Sequence, residues 1–304
     1  MNHLLSIEKL PLRDMKQILE NTAMFKRERG SRTLLPLKGQ TWGMIFAKSS
    51  TRTRVSFEVG IHELGGNAIF LSTSDIQLGR GELIKDTARV LGRMTHGCVI
   101  RTFKQQDVED FAQYSGIPTV NALTDWEHPC QILTDIFTIE EKMRSIQGKV
   151  VTFVGDGACN IPISWAFAAA KLGFELRIAA PKEYQLPDEV LKRAGSGAKI
   201  YCTTDPKEAA KGADVLYTDT WISMGKESES AQRISLLKNY QINKEMVSLA
   251  NKDVMVLHCL PAYRGKEITE EIFEQFSGNI FDQAENRLHT QKAIMDWRSG
   301  RAHV

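Results

Sequence analysis

Short β-rich apolar runs alternate along the chain with stretches whose apolar residues return every three to four positions, a pattern that predicts α/β layers around parallel strands. In the first half the strand-like runs begin at Thr41, Asn67, Cys98 and Pro118; in the second they begin at Lys149, Glu175, Ala198, Asp214 and Asp253. Helices are predicted over residues 7–29, 55–64, 82–95 and 128–144. In the third of these, Ile84, Ala88, Leu91 and Met94 form one apolar face that should cover the sheet. Gln147 and Gly148 make a polar break before the strand at Lys149. The expected architecture is therefore two doubly wound parallel-sheet domains joined by interdomain helices: residues 1–146, with a C-terminal helix 285–304 packing back on them, and residues 147–284. Residues 225–230 read as a polar loop.

A length of 304 residues agrees with two domains at ~100–200 residues each. Thirty-nine basic residues nearly cancel thirty-seven acidic ones, and a net charge of +2 produces no broad field for nucleic acid or a membrane surface. Any anion site must be local. Charges interrupt the first apolar residues too early for a signal-peptide core, and no apolar run reaches the ~18 residues of a membrane span. The expectation is a cytoplasmic protein. Cys98, Cys130, Cys159, Cys202 and Cys259 are odd in number and widely spaced, so free thiols and no metal site are expected.

In open parallel sheets ligands bind beyond the carboxyl ends of the strands, so the residues just after each strand are the candidates for chemistry. After the first strand comes Lys48-Ser49-Ser50-Thr51-Arg52-Thr53-Arg54, followed by a helix. A helix N-terminus with hydroxyls and a guanidinium can cradle a phosphate; an ordinary Ser/Thr cap with solvated arginines is the competing reading. Arg54 suits a structural role. Arg101 ends an apolar strand, where its charge needs a carboxylate partner or an anionic ligand. His128-Pro129-Cys130-Gln131 opens a helix, and a neutral imidazole or an amide there can donate to a carbonyl oxygen or simply cap.

In the second half Gly155-Asp156-Gly157 follows a strand and precedes a helix, which invites a dinucleotide-binding reading. The third glycine is missing, since position 160 is Asn160, and Ala179-Ala180-Pro181 offers no acid for a ribose. Asn160 can instead bind a small polar ligand or form a turn. Asp219 and Ser223, on the loop running to Met224 and Gly225, can hold an ammonium group. His258 and Cys259 end the last strand, but adjacent strand residues face opposite ways, which argues against a nucleophile–base pair between them.

Together these motifs resemble the aspartate/ornithine carbamoyltransferase family along essentially the whole chain. S-T-R-T-R, an Arg on an intervening strand and H-P-x-Q match the family's carbamoyl phosphate motifs; D-x-x-x-S-M-G and H-C-L-P match its ornithine members. The resemblance implies that Ser50, Thr51, Arg52 and Thr53 hold the phosphate, while Arg101, His128 and Gln131 engage the carbamoyl end. It assigns Arg287 to the same substrate, and Gln77 as a residue lent by a neighbouring subunit of a homotrimer. Asn160, Asp219, Ser223 and Met224 would bind ornithine, with Cys259 and Leu260 lining the reaction centre. Arg101, His128, Asp219 and Cys259 are its catalytic candidates. The segment Gly155 to Asn160 departs from the family's G-D-G-N-N and reads one residue longer, with Asn160 aligned by the following Ile161.

The implied reaction is transfer of a carbamoyl group from carbamoyl phosphate to ornithine, without metal or cofactor. Competing expectations are putrescine or an N-acylated ornithine as acceptor, a nucleotide-dependent oxidoreductase, and a non-catalytic relative.

Overall fold

A computed structural model of the chain describes residues 3–31, 35–223 and 225–299. The chain divides into two compact units, one made of residues 1–137 with 285–304 and the other of residues 138–284. The divisions fall inside two helices, Pro129–Met143 and Ser277–Ser299.

The first unit is built on β1 (Thr41–Phe46), β2 (Asn67–Ser72), β3 (Gly97–Arg101) and β4 (Thr119–Leu123). They form one parallel sheet in the order β2-β1-β3-β4. Every residue of β3 is buried, as expected for a central parallel strand covered on both faces. Edge strand β2 is half exposed. The outer edge of β4 is occupied by the chain start, since Leu4 N–H donates to Thr119 O at 3.0 Å and Asn121 N–H to Leu4 O at 2.7 Å. Gly97 has a steric reason: a Cβ there would lie 2.6 Å from the buried Trp42 ring.

The second unit holds β5 (Val150–Val154), β6 (Glu175–Ala179), β7 (Ile200–Thr203), β8 (Val215–Thr218) and β9 (Met255–His258). These are also all parallel, in the order β7-β6-β5-β8-β9. Phe153 stacks on Tyr217, and Trp165 meets both Tyr217 and Phe174 edge to face. Val154, Leu216, Trp221, Leu237, Val256 and Phe273 belong to a second apolar cluster.

In each sheet the chain order reverses once, between β1 and β3 in the first and between β5 and β8 in the second. Such reversals leave a crevice beyond the strand ends, because the connections depart to opposite faces there. The loops at 47–53 and 101–104 flank one crevice; those at 155–160 and 219–225 flank the other.

All nine predicted strand runs form strands, but several helical predictions are corrected. The opening helix is Leu12–Arg27, because Pro11 pushes the residue before it out of helical geometry; residues 7–10 are a turn. The second helix is Thr51–Glu63, four residues earlier than its apolar pattern implied, because Ser50 caps it. In Ile84–Met94, Ala88 is buried with Ile84 and Leu91 against it, whereas Met94 is 71% exposed. At 3.6 residues per turn Met94 points roughly 80° away from Ile84, off the covered face. Residues 225–230 are not wholly loop: a 3-10 turn spans Glu227–Glu229 and Ser230 opens the helix Ser230–Leu237.

Candidate active site

Beyond β1 the backbone becomes extended at Ser50, whose Oγ accepts the N–H of Thr53 at 3.3 Å. Ser50 is thus a true N-cap. The first turn it opens contains no acid to offset the positive helix end. Thr51 is exposed and Arg52 half-buried on that turn. Arg54 is structural: it pairs with Glu58 at 3.3 Å and stacks 3.8 Å over Phe70.

Thr53 points the other way and is buried. Its Oγ1 accepts from Arg287 Nη2 at 2.8 Å, while Arg287 Nη1 donates to Gln131 Oε1 at 2.6 Å. Gln131 Nε2 in turn donates to Asp135 Oδ1 at 2.8 Å, one helical turn further along Pro129–Met143. This buried chain fixes both the guanidinium plane and the amide orientation.

His128 stands just before that helix, 5% exposed. Burial, then the charges of Arg287 and Arg101, hold its pKa well below the usual 6.5, so the ring is neutral near pH 7. It can donate a hydrogen bond to an oxygen without adding a third positive charge. Arg101 lies at the end of β3, where the register with β4 shifts between Ile100 and Arg101. A register irregularity of this kind turns the strand and re-aims the side chain. Cys130 is not available for chemistry; burial pushes its thiol up to about 12, and Sγ donates to Asn121 O at 3.3 Å. Gln77 is exposed in the turn Gln77–Arg80 and joins none of these hydrogen bonds.

In the second unit Cys259 Sγ donates to Asp219 Oδ1 at 3.0 Å, and the Thr220 N–H donates to the same oxygen at 2.7 Å. Burial raises the Asp219 pKa above its usual 3.8 despite these bonds, making it a stronger base than an exposed carboxylate. His258 lies close to this pair, contrary to the separation expected from strand alternation, because β9 ends at His258 and Cys259 falls just beyond it. Its Nδ1 accepts the Leu260 N–H at 2.9 Å, so the ring proton sits on Nε2, which meets the buried Glu267 Oε1 at 3.2 Å. Leu260 is held at a φ of 60°, a left-handed conformation uncommon for a branched residue and found where a site over-determines the backbone.

Asp219, His258 and Cys259 present ligand-type atoms within 4.8 Å of one another and could in principle hold a metal. Both ring nitrogens of His258 are already engaged, however, by Leu260 and Glu267. Asn160 begins the helix Asn160–Leu172, half-buried, and Ser223 is half-buried on the loop after β8. Met224 lies outside the described residues. Cys159 caps the helix at Asn160, and burial, then the carboxylates of Asp156 and Asp219, raise its pKa well above 9.0. Both effects favour the neutral thiol.

The sequence reading missed three carboxylates that orient these groups. Asp135, four residues after Gln131, was visible as an i, i+4 partner. Glu127, fully buried beside His128, accepts the Ile7 N–H at 2.7 Å and ties the chain start to the His128 loop. Glu267 had no local signal at all.

The chain matches the carbamoyl-P binding domain of aspartate/ornithine carbamoyltransferase over residues 2–141. Over residues 147–298 it matches the Asp/Orn binding domain of the same family. It is 57% identical over 297 residues to an ornithine carbamoyltransferase of Akkermansia muciniphila, covering 97% of each chain. With the Campylobacter fetus ornithine carbamoyltransferase it shares 52% over 303 residues, 98% of each. Among solved structures, ornithine carbamoyltransferase from Pyrococcus furiosus superposes with a TM-score of 0.93 at 43% identity, covering 99% of this chain and 98% of that one. The anabolic ornithine carbamoyltransferase of Campylobacter jejuni gives 0.91 at 43%, covering 97% and 98%.

Proposed function

This chain belongs to the aspartate/ornithine carbamoyltransferase family, and we infer from it that the enzyme moves the carbamoyl group of carbamoyl phosphate to the δ-amine of L-ornithine, giving L-citrulline and phosphate. The observation that carries this reading is the convergence of Arg287, Gln131 and Thr53 in one buried chain, beside a neutral His128, in the unit with the Ser50-capped helix.

The substrate brings its negative charge on the phosphate, and more charge develops on the carbonyl oxygen as the amine attacks. First-turn N–H groups at Thr51 and Arg52, with the side chains of Ser50, Thr51, Arg52 and Thr53, receive the phosphate, and Arg287 supports it. Arg101, His128 and Gln131 address the carbamoyl end. Donors fixed in advance by burial need no reorganisation when that charge appears, which is usually the largest catalytic contribution. The neutral state of His128 fits a donor to the carbonyl oxygen.

The δ-amine resembles a lysine amine, with a pKa of about 10.4, and must lose a proton to attack. Asp219 and Cys259 orient it and relay that proton, with the leaving phosphate as final acceptor. Asn160, Ser223 and Met224 hold the amino-acid end, and Leu260 with Cys259 lines the reaction centre. The family resemblance also supports a cytoplasmic homotrimer in which Gln77 serves a neighbouring subunit's site. No helix among the described residues is long and apolar enough to cross a membrane.

The direct test is citrulline formation from carbamoyl phosphate and ornithine, with putrescine and N-acetylornithine as alternative acceptors. Turnover confined to ornithine is the expected result. Preference for either alternative overturns the acceptor assignment.

A further inference from the structure

The second unit contains a buried cation that the catalytic assignment does not use. Arg233, on the helix Ser230–Leu237, is 3% exposed. Its Nε donates to Trp221 O at 2.6 Å, Nη2 forms an ion pair with Asp156, and Nη1 meets Glu229 Oε2 at 3.4 Å. The guanidinium also stacks 4.6 Å from the Tyr184 ring centroid.

Two of these partners, Asp156 and Trp221, sit on the two loops that flank the crevice between β5 and β8. Asp156 belongs to the loop after β5, where its Oδ1 accepts the Ala158 N–H at 3.0 Å and shapes the turn leading to Asn160. That loop rests on β6, since a Cβ on Gly157 would lie 2.7 Å from Ile178 Cγ2. Trp221 belongs to the loop after β8, two residues from both Asp219 and Ser223, and its ring is packed in the core. A charge this deeply buried is expensive unless paired, and the planar fork of Arg satisfies three directions at once where Lys cannot.

We propose that Arg233 is a positioning residue for the acceptor site: it clamps the loop bearing Asn160 to the loop bearing Asp219 and Ser223, and so sets the spacing that an amino-acid acceptor must fit. This rests on the reading of those loops as the ornithine site. It predicts that the clamp governs acceptor use and leaves carbamoyl phosphate binding, in the other unit, unaffected.

The test compares Arg233→Gln, Arg233→Lys and Asp156→Asn with the wild type. The expected result is a rise in KM for ornithine on the order of 10- to 100-fold for Arg233→Gln and Asp156→Asn, the scale of a misplacement of about 1 Å. A smaller rise is expected for Arg233→Lys, with KM for carbamoyl phosphate unchanged throughout. Hydrogen exchange supplies a readout independent of turnover: Arg233→Gln should accelerate exchange at residues 156–160, and Asp156→Asn at residues 219–223, each reaching the opposite loop. Equal weakening of both substrates, unchanged exchange in the opposite loop, or global unfolding of all three variants would each overturn the clamp. A wild type that forms no citrulline overturns the acceptor assignment instead, while the exchange measurement still decides the clamp.

Discussion

Arg287 Nη2 donates to Thr53 Oγ1 at 2.8 Å across 234 positions of sequence, joining the last long helix to the first turn of the helix after β1. The same guanidinium holds Gln131 at 2.6 Å, so one side chain orients two of the groups assigned to carbamoyl phosphate. Arg287→Met is expected to raise KM for carbamoyl phosphate roughly 10- to 100-fold, and Thr53→Val by less. Because the residues touch, a double-mutant cycle on that KM should return a coupling of about 0.5–3 kcal/mol. Strict additivity would mean that the contact does not organise the site.

His128 links stability to pH. Its folded pKa lies well below 6.5, so the unfolded chain binds a proton below that pH which the folded protein refuses. The stabilising contribution is complete above pH 6.5 and is lost as pH falls below it. His3 and His289 shift in the same direction and add to the trend. Urea midpoints should therefore decline from pH 7 to pH 5, and His128→Gln should flatten the dependence by up to about 1.4 kcal/mol per pH unit. An unchanged slope would argue against a buried neutral imidazole.

The contact between Asp219 and Cys259 makes separate predictions for kcat. Asp219→Asn keeps the shape but not the basicity, and kcat/KM for ornithine should fall by about 10²–10⁴-fold. Its raised pKa places the acid limb of the wild-type profile above the ordinary carboxylate value of 3.8, and the Asn variant should lack that limb. Cys259→Ser should lower kcat more than it weakens carbamoyl phosphate binding. Steady-state kinetics showing only a KM effect would remove Cys259 from the chemistry.

Gln77 is exposed, and the trans role proposed for it predicts complementation between subunits. Gln77→Ala and Arg287→Met subunits, each impaired alone at limiting carbamoyl phosphate, should regain activity there when unfolded together and reassembled, as about a quarter of the sites become wild type for random mixing of equal amounts. An active monomer in light scattering, or no recovery on mixing, would return Gln77 to an ordinary surface turn.

Much of this was legible in the chain itself. Strand positions follow from apolar runs, and the capped helix start from the Ser50-Thr51-Arg52-Thr53 string, because each depends on residues within a few positions of one another. Family motifs supplied the rest of the substrate assignment.

What the tertiary structure alone decided is which distant groups meet and how they are aimed. The register shift at Arg101, the chain from Thr53 through Arg287 and Gln131 to Asp135, the Asp219–Cys259 contact, and the Arg233 bridge between two loops all depend on strand order and helix packing. Local periodicity carries no information about either. The same limit explains the missed buried acids Glu127 and Glu267: a carboxylate looks like surface in sequence, and only its distant hydrogen-bond partners reveal why burying it is tolerated.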